Sequence, residues 1–300
     1  MEKFEGIILI DKPEDYTSFD VIARLRGMAK TKKVGHSGTL DPMATGVLPI
    51  FFGRAVKAVD ILPIQDKKYR ATARLGITTD TQDTMGKILT QNDNLPTKEE
   101  IIKAINSFVG KQNQLPPMYS AVQVDGRRLY DLARQGIEVE REKREIIIHS
   151  IDVLSVERDE FTIDVCCSKG SFIRTLCHDI GEKLGCGATM SKLRRTMAAG
   201  FDISECITLD EAQRLTEEGK LQEKLIPVDT LFANLPRLKM TEKDSKHYLN
   251  GVKMTAKRFG VNSNTGDIAV YNDKNEFMGI SYVNERGFLI SRKQFMILEG

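Results

Sequence analysis

The strongest candidate for a reactive group in this sequence is an aspartate in a short loop rich in glycine and proline. Asp41 lies between Gly38 and Pro42 in the stretch GHSGTLDP, residues 35–42. Glycine lets the backbone approach a ligand closely, and proline restricts the residue before it to an extended conformation, so the turn that presents the carboxylate is stiff. The G-x-x-x-x-G-K-[ST] pattern of a phosphate-binding loop is absent. The loop alone leaves two readings open, a reactive carboxylate and a simple turn cap.

Two more candidates lie on regular elements. Residues 69–76 alternate strictly between apolar and polar types, which predicts a half-buried strand with Tyr69 on its apolar face. Residues 161–167 alternate in the same way, and the apolar spacing that follows predicts a helix ending at Gly185. Arg174 lies in the first turn of that helix, where its charge opposes the helix dipole, and this favours a functional role.

The remaining elements are predicted from caps, turns and breaks. A β-branched run predicts a strand at 6–10, and capping residues predict helices that begin at Thr17, Thr97 and Thr208. Residues 30–54 contain four glycines and two prolines, which predicts an ordered loop rather than an uninterrupted central strand. A proline pair, an Asp-Gly turn and a short basic helix predict a protruding arm, whose arginines are Arg127, Arg128 and Arg134.

The chain of 300 residues is long enough for two domains. Strands mixed with helices over the first 230 or so residues predict an α+β fold on a mixed or antiparallel sheet. After Pro236 the pattern changes to short β-like runs separated by turns, which predicts a small β-rich domain. We therefore expect one domain at 1–232, with the arm at 116–145, and a second at 233–300.

Charge is segregated along a chain whose net charge is only +2. Residues 24–33 carry five basic residues and no acidic one, and residues 237–260 carry seven basic against two acidic. Residues 205–231 reverse the balance, with seven acidic against three basic. Basic patches offset elsewhere by acid suit a protein that grips a polyanion, although solvated helix faces give the same pattern.

Composition excludes several classes of protein. No apolar run approaches the ~20 residues of a membrane span, and the first residues lack a secretory signal, so we expect a cytoplasmic protein. The five cysteines include no C-x-x-C pair, which argues against both a zinc site and a disulfide framework.

Five blocks of sequence resemble the TruB family of tRNA pseudouridine synthases in order and spacing. The resemblance begins at GIILIDKP and covers about 230 residues, and the last 65 or so are similar to the PUA RNA-binding domain of bacterial members. The blocks are GHSGTLDPMATGVLPIFFGRAVK (35–57), KKYRATARLGITTDTQDTMG (67–86), PPMYSAVQVDGRRLYDLARQG (116–136), CSKGSFIRTLCHDIGEKLG (167–185) and SKLRR (191–195).

The resemblance implies an isomerase that breaks the N-glycosidic bond of uridine at position 55, in the T loop of tRNA, and rejoins the base through C5. Such chemistry requires a nucleophile and a proton shuttle but no cofactor or metal. Asp41 is implied as the nucleophile, with attack at C6, attack at C1′ and a glycal route all open. The resemblance further implies that the ring of Tyr69 packs on the base and that its hydroxyl moves a proton. Arg174 is implied to orient Asp41 and to keep it ionised.

Substrate contacts follow from the same resemblance. The residues expected to contact the substrate at the active site are His36, Phe172, Leu193 and Lys12. At the position of Phe172 the family commonly has tyrosine. The expected contacts to the RNA backbone are Arg127, Arg128, Arg134, Arg194 and Arg195. The target uridine must be flipped out of its stack, and the arm is expected to fold over the RNA and to be mobile without it.

The implied partner is the T stem-loop of tRNA. We expect the protein to act as a monomer, with neither a membrane nor an obligate partner protein. Two alternatives remain at this point: the guide-RNA-directed relatives, which share the Asp, Tyr and Arg blocks, and an RNA chaperone that folds tRNA without modifying it. A small-molecule enzyme that binds phosphate through the glycine loop lacks any nucleotide-binding fingerprint.

Overall fold

A computed structural model describes residues 4–297 and shows strands mixed with short helices. The helices are α1 Ser18–Ala29, α2 Lys98–Asn106, α3 Leu129–Arg134, α4 Ile173–Leu184, α5 Leu209–Glu217 and α6 Glu242–Leu249. The strands are β1 Gly6–Lys12, β2 Val34–His36, β3 Thr45–Phe52, β4 Lys67–Leu75, β5 Ile77–Thr79, β6 Ile88–Gln91, β7 Gly110–Gln114, β8 Gln123–Val124, β9 Arg127–Arg128, β10 Arg144–Val156, β11 Glu160–Cys167, β12 Ala188–Ala198, β13 Phe201–Asp202, β14 Arg237–Lys239, β15 Met254–Thr255, β16 Ile268–Tyr271, β17 Phe277–Val283 and β18 Phe288–Gln294. None of the helices in this part of the chain has the length and apolar character that a bilayer crossing requires.

A large mixed sheet forms the centre of the molecule. Its strand order is β1-β3-β12-β4-β11-β10-β7, with β2 added to β3 and β13 added to β12. The pair β12 and β3 is parallel, whereas the other neighbours along this order are antiparallel. The predicted α+β class with a mixed sheet is confirmed.

Strand β4 lies between β11 and β12 and carries the predicted alternation. Tyr69, Ala71, Ala73 and Leu75 are buried on one face, where α2 and α4 supply the apolar side chains of the same core cluster. Burying each large apolar side chain there stabilises the fold by roughly 1.5–3 kcal/mol. These buried contacts fix the position of the strand, and with it the position of Tyr69 near its start.

The helices begin where capping residues predict. Thr17 and Asp20 cap α1 reciprocally, as Thr97 and Glu100 cap α2, and Thr208 caps α5. Each side chain satisfies a backbone N–H that has no partner inside the helix. These local contacts explain why the helix starts could be read from sequence.

The prediction of a loop over residues 30–54 is wrong, because β3 is an eight-residue strand inside the sheet. Pro49 lies within it, opposite Leu9 of β1. The carbonyl of Pro49 accepts a hydrogen bond from the Ser37 N–H at 3.3 Å, on the edge where β3 passes from β12 to β2. The missing N–H of proline faces that same edge, so the strand loses no ladder bond to β1.

A second sheet, of order β14-β16-β17-β18-β15, follows in the chain. It has its own apolar cluster, which includes Leu238, Tyr248 and Met278. Another cluster joins the two sheets, since Phe51 and Phe201 of the first share it with Phe295 beyond the second. The first strand of this sheet begins at Arg237, and the two sheets are packed together by apolar contacts.

Candidate active site

A cavity of about 400 Å³ opens at the start of β4, between the loop 38–41 and the start of α4. Strand β12 and residues 120–122, at the base of the arm, close its other sides. Five of the residues singled out from sequence line this cavity: Asp41, Tyr69, Phe172, Arg174 and Leu193.

The loop that carries Asp41 is held at several points by α1 and the turn before it. The Ser18 hydroxyl donates to the Leu40 carbonyl and accepts from the Leu40 N–H, at 3.2 and 2.9 Å. The N–H of Asp15 donates to the carbonyl of Pro42 at 3.0 Å. These bonds give the aspartate a stiff support.

Lys12 supports the same loop and has no exposed surface. Its ammonium donates to the carbonyls of Pro13, Tyr16 and Pro42 at 2.7, 2.6 and 3.1 Å. Burial lowers the pKa of Lys12 to about 8, while Asp41 and other nearby carboxylates act in the opposite direction. The expectation of a substrate contact is therefore corrected, because in this structure Lys12 positions the Asp41 loop from inside the protein.

Arg174 lies in the first turn of α4, as predicted, and is almost completely buried. Its Nε is 3.1 Å from Asp41 Oδ2, and its Nη1 is 3.3 Å from Asp83 Oδ2. Nη1 also donates to the Thr81 carbonyl at 3.1 Å, and Nη2 donates to the Tyr119 carbonyl at 2.8 Å. Four groups from three segments thus determine where this guanidinium lies.

The pKa of Asp41 is raised, chiefly because burial disfavours the charged carboxylate. Arg174 lowers that pKa, as expected from sequence, and Lys12 does too, but the neighbouring charge of Asp83 raises it. The net direction is upward, so Arg174 only partly offsets the burial. The side chain keeps 36% of its surface exposed toward the cavity, which leaves it accessible to a substrate.

Tyr69 lies on the buried face of β4, and its ring lines the cavity. Burial raises the pKa of its hydroxyl, and the guanidinium of Arg195 beside it acts in the opposite direction. The neutral phenol is therefore the stable form, able to pack on an uncharged ring.

Arg195 does not lie where the sequence led us to expect. It is completely buried, with Nε donating to the Val47 carbonyl at 2.7 Å and Nη2 to the Gly38 carbonyl at 3.0 Å. Gly46 allows this packing, since a Cβ there would lie 2.1 Å from the Arg195 carbonyl oxygen. The expected contact to the RNA backbone is corrected to an internal role, because no part of this side chain reaches the surface.

Arg194, the preceding residue, points to the opposite face of β12. It forms two hydrogen bonds with Asp11, at 3.1 and 2.7 Å, and stays partly exposed. The arm arginines Arg127 and Arg128 are exposed, and Arg134 lies over the ring of Tyr130 at 5.4 Å. These four guanidinium groups remain at the surface.

His36 belongs to β2 and is not among the residues that line the cavity. Burial, and then Arg195, lower its pKa, so the neutral imidazole is favoured. Phe172 precedes α4, with its N–H donating to Gln114 Oε1 at 2.8 Å and its carbonyl accepting from Gln114 Nε2 at 3.0 Å. Gln114 thereby fixes the entry to α4 and, with it, the start of the helix that carries Arg174.

Sequence reasoning missed Asp83 and Gln114. Asp83 is 5% exposed and lies in the block at 67–86, where only Tyr69 was given a role. Gln114 stands just before the proline pair of the arm. Asp83 could have been singled out as an acidic residue within a block that resembles the family. Nothing in the local sequence marks Gln114 as a partner of Phe172, which lies 58 positions later.

Two family models match consecutive parts of this chain. Residues 26–173 match the family model described as "TruB family pseudouridylate synthase (N terminal domain)", and residues 174–233 match "tRNA pseudouridylate synthase B C-terminal domain". The chain is 44% identical over 286 residues to "tRNA pseudouridine synthase B" of Clostridium tetani, covering 95% of this chain and 98% of the relative. A relative of the same name from Stutzerimonas stutzeri is 40% identical over 291 residues, covering 96% and 94%.

Solved structures show the same fold at lower identity. The chain in "Structure of H/ACA RNP bound to a substrate RNA containing 2'-deoxyuridine" superposes with a TM-score of 0.72 at 23% identity, covering 98% of this chain and 86% of that one. The chain in "Crystal Structure of a Cbf5-Nop10-Gar1 Complex" superposes with a TM-score of 0.71 at 24% identity, covering 97% and 85%.

The family models and the relatives show an enzyme of the pseudouridine synthase class, an isomerase. More narrowly, the chain belongs to the TruB family of pseudouridylate synthases.

Proposed function

We propose that this enzyme converts the uridine at position 55, in the T loop of tRNA, to pseudouridine. The name shared by its relatives supports tRNA as the substrate. The observation that carries the proposal is the 3.1 Å ion pair between Asp41 and Arg174 at the wall of a cavity that Tyr69 and Leu193 also line. The cavity exceeds the size of a uracil ring, so a flipped nucleotide has room to enter it.

Each of these residues has a distinct role in the proposal. The rings of Tyr69 and Phe172 and the side chain of Leu193 offer apolar surface to the base, while Asp41 supplies the reacting carboxylate. Arg174 holds that carboxylate in one orientation and stabilises its charge. During the reaction the N1–C1′ bond breaks and the C5–C1′ bond forms, so C5 loses a proton and N1 gains one, without a redox step.

The RNA-binding surface extends beyond the cavity. In the proposal, the arm at 116–145 and the exposed guanidiniums of Arg127, Arg128, Arg134 and Arg194 contact backbone phosphates. His36, in the strand beside the Asp41 loop, stacks among the bases. The chain divides into a catalytic domain at 1–232 and a PUA-like RNA-binding domain at 233–300, and it acts as a cytoplasmic monomer without a partner protein.

Tritium release tests the proposal directly. Unmodified tRNA transcript labelled with tritium at C5 of uracil is incubated with the purified protein alone, beside an Asp41→Asn variant that keeps the shape of the side chain. We expect wild-type protein to release tritium and Asp41→Asn to release none above background. A labelled tRNA in which cytidine replaces the uridine at position 55 identifies the site. It should release no tritium above background, because its other uridines are not substrates in the proposal.

Two outcomes would overturn parts of the proposal. Binding of tRNA without tritium release by wild-type protein would favour a chaperone or a guide-dependent enzyme. Full release by Asp41→Asn would remove Asp41 from the reaction. A transcript of the T arm alone should serve as a substrate, because the contacts proposed here reach only the T stem and loop.

A further inference from the structure

One side chain of the cavity has no role in the function proposed above. Lys67 begins β4 and lies on the same strand face as Tyr69, two residues before it, so both side chains reach the cavity. Its ammonium donates one hydrogen bond, to the Gln65 carbonyl at 3.2 Å. Within residues 4–297 it forms no ion pair with a carboxylate.

The position of Lys67 is defined by the loop that carries Asp41. A Cβ at Gly38 would lie 3.1 Å from Lys67 Cε, so the lysine side chain rests directly on the loop backbone. Lys67 and Gly38 also line a neighbouring cavity of about 260 Å³, together with Lys169. The ammonium therefore stands where the two cavities meet.

The charges around Lys67 compensate its own charge only in part, because Asp66 favours the charged ammonium whereas Arg195 and Lys169 disfavour it. Asp41 is paired with Arg174, and the Asp66 carboxylate contacts His149 Nε2 at 3.2 Å. Arg195, which is completely buried and donates to the carbonyls of Val47 and Gly38, adds a second positive charge nearby. Burial and then Arg195 lower the pKa of Lys67, so a half-buried ammonium is kept here at a cost that a bound anion would offset.

The substrate of the proposed function brings an anion to this place, because every nucleotide that enters the cavity has a phosphate on each side. We propose that Lys67 binds a phosphate group adjoining the target uridine and so holds the nucleotide while its base occupies the cavity. This inference rests on the proposed function. It assigns to Lys67 a substrate contact through charge, distinct from the contacts of Tyr69 and Leu193 with the base.

The salt dependence of tRNA binding tests the contact. One phosphate contact contributes about 0.7–0.9 to the slope of log K against log salt concentration. We expect Lys67→Met to lower the slope by that amount and to weaken binding roughly five- to tenfold at 0.1 M salt. Lys67→Arg, which keeps the charge, should retain the wild-type slope.

Lys68→Met is the matched control, because it removes the same charge from the next residue, whose side chain is exposed on the other face of β4. Its slope should equal that of wild-type protein. Equal slopes for Lys67→Met and wild-type protein would overturn the inference, as would equal losses in Lys67→Met and Lys68→Met. Thermal melting of each variant confirms that it is folded.

A neutral backbone locates the contact. Two T-arm RNAs, each with one methylphosphonate, on the 5′ or the 3′ side of the target uridine, are bound to wild-type protein and to Lys67→Met. One of them should bind wild-type protein roughly five- to tenfold more weakly than unmodified RNA does, and Lys67→Met should not distinguish them. Equal losses in both proteins would show that Lys67 binds neither phosphate. These are binding measurements, so the tritium assay decides the proposed function separately.

Discussion

The arginines inside this protein differ from those on its arm in what surrounds the guanidinium. Arg174 contacts two carboxylates and two backbone carbonyls, and Arg195 donates to two carbonyls from a completely buried position. On the arm, Arg127 donates to Gln135 and Arg128 to Tyr130, and both remain exposed. The interior arginines have fixed partners, whereas those on the arm have local contacts at the surface that, in the proposed function, they exchange for phosphates.

In the proposed function, this difference separates two tasks of one residue type in the same enzyme. A buried guanidinium with a planar set of donors holds several groups in one geometry, which suits a reacting carboxylate. An exposed guanidinium provides charge to a polyanion and tolerates variation in position. Substitutions in the interior should therefore alter chemistry or stability, and those on the arm should alter binding.

The largest effect is expected for Arg174→Lys. Lysine keeps the charge but cannot bond Asp41, Asp83 and the carbonyls of Thr81 and Tyr119 together, so Asp41 loses its orientation. We expect the single-turnover rate of tritium release to fall by about 10³-fold. A rate within tenfold of wild-type protein would show that charge alone suffices. Binding of tRNA, measured in parallel, should change little.

A difference between two neighbours on β12 is expected next. Arg195→Met leaves the carbonyls of Val47 and Gly38 without donors inside the protein, at a cost of about 2–5 kcal/mol in the free energy of unfolding. Arg194→Met removes a partly exposed ion pair with Asp11, worth at most about 1 kcal/mol. Urea denaturation measures both values. Equal losses would contradict the assignment of Arg195 to the interior.

Removal of charge from the arm should weaken binding without changing chemistry. With Arg127, Arg128 and Arg134 all replaced by alanine, we expect the salt slope to fall by about two to three and tRNA affinity at 0.1 M salt to fall about a hundredfold. The rate at saturating tRNA should stay within about twofold of wild type.

In wild-type protein, a mobile arm should be cut by trypsin more slowly when tRNA is present. Identical cutting with and without tRNA would count against that mobility.

The smallest expected effect is a shift in pH dependence. The single-turnover rate should fall with decreasing pH as Asp41 is protonated, with a midpoint above the ordinary aspartate pKa of 3.8 because burial raises the pKa of this carboxyl. Asp83→Asn removes a negative charge that also raises it, so its midpoint should move to lower pH. A midpoint that stays in place or rises would show that Asp83 does not act on Asp41 through its charge.

Much of the fold was predictable because its signals are local. The alternation of β4, the capping residues of α1 and α2 and the glycine that ends α4 act over a few residues, and the structure contains all of them. Strand β3 was missed because its stability comes from pairing with β1, which lies far away in sequence. Pro49 made that stretch resemble a loop, and only the sheet shows that its missing N–H is harmless.

The candidate site divides in the same way. The sequence by itself determined that Asp41 follows a glycine-rich turn, that Tyr69 is on an apolar strand face and that Arg174 opens a helix, since these depend on residue type and spacing. Only the tertiary structure decided that Asp83 joins Arg174 and that Arg195, rather than Arg194, is buried. Both adjacent arginines look alike in sequence, but neighbouring residues of a strand point to opposite faces, and which face is the interior depends on what packs against it.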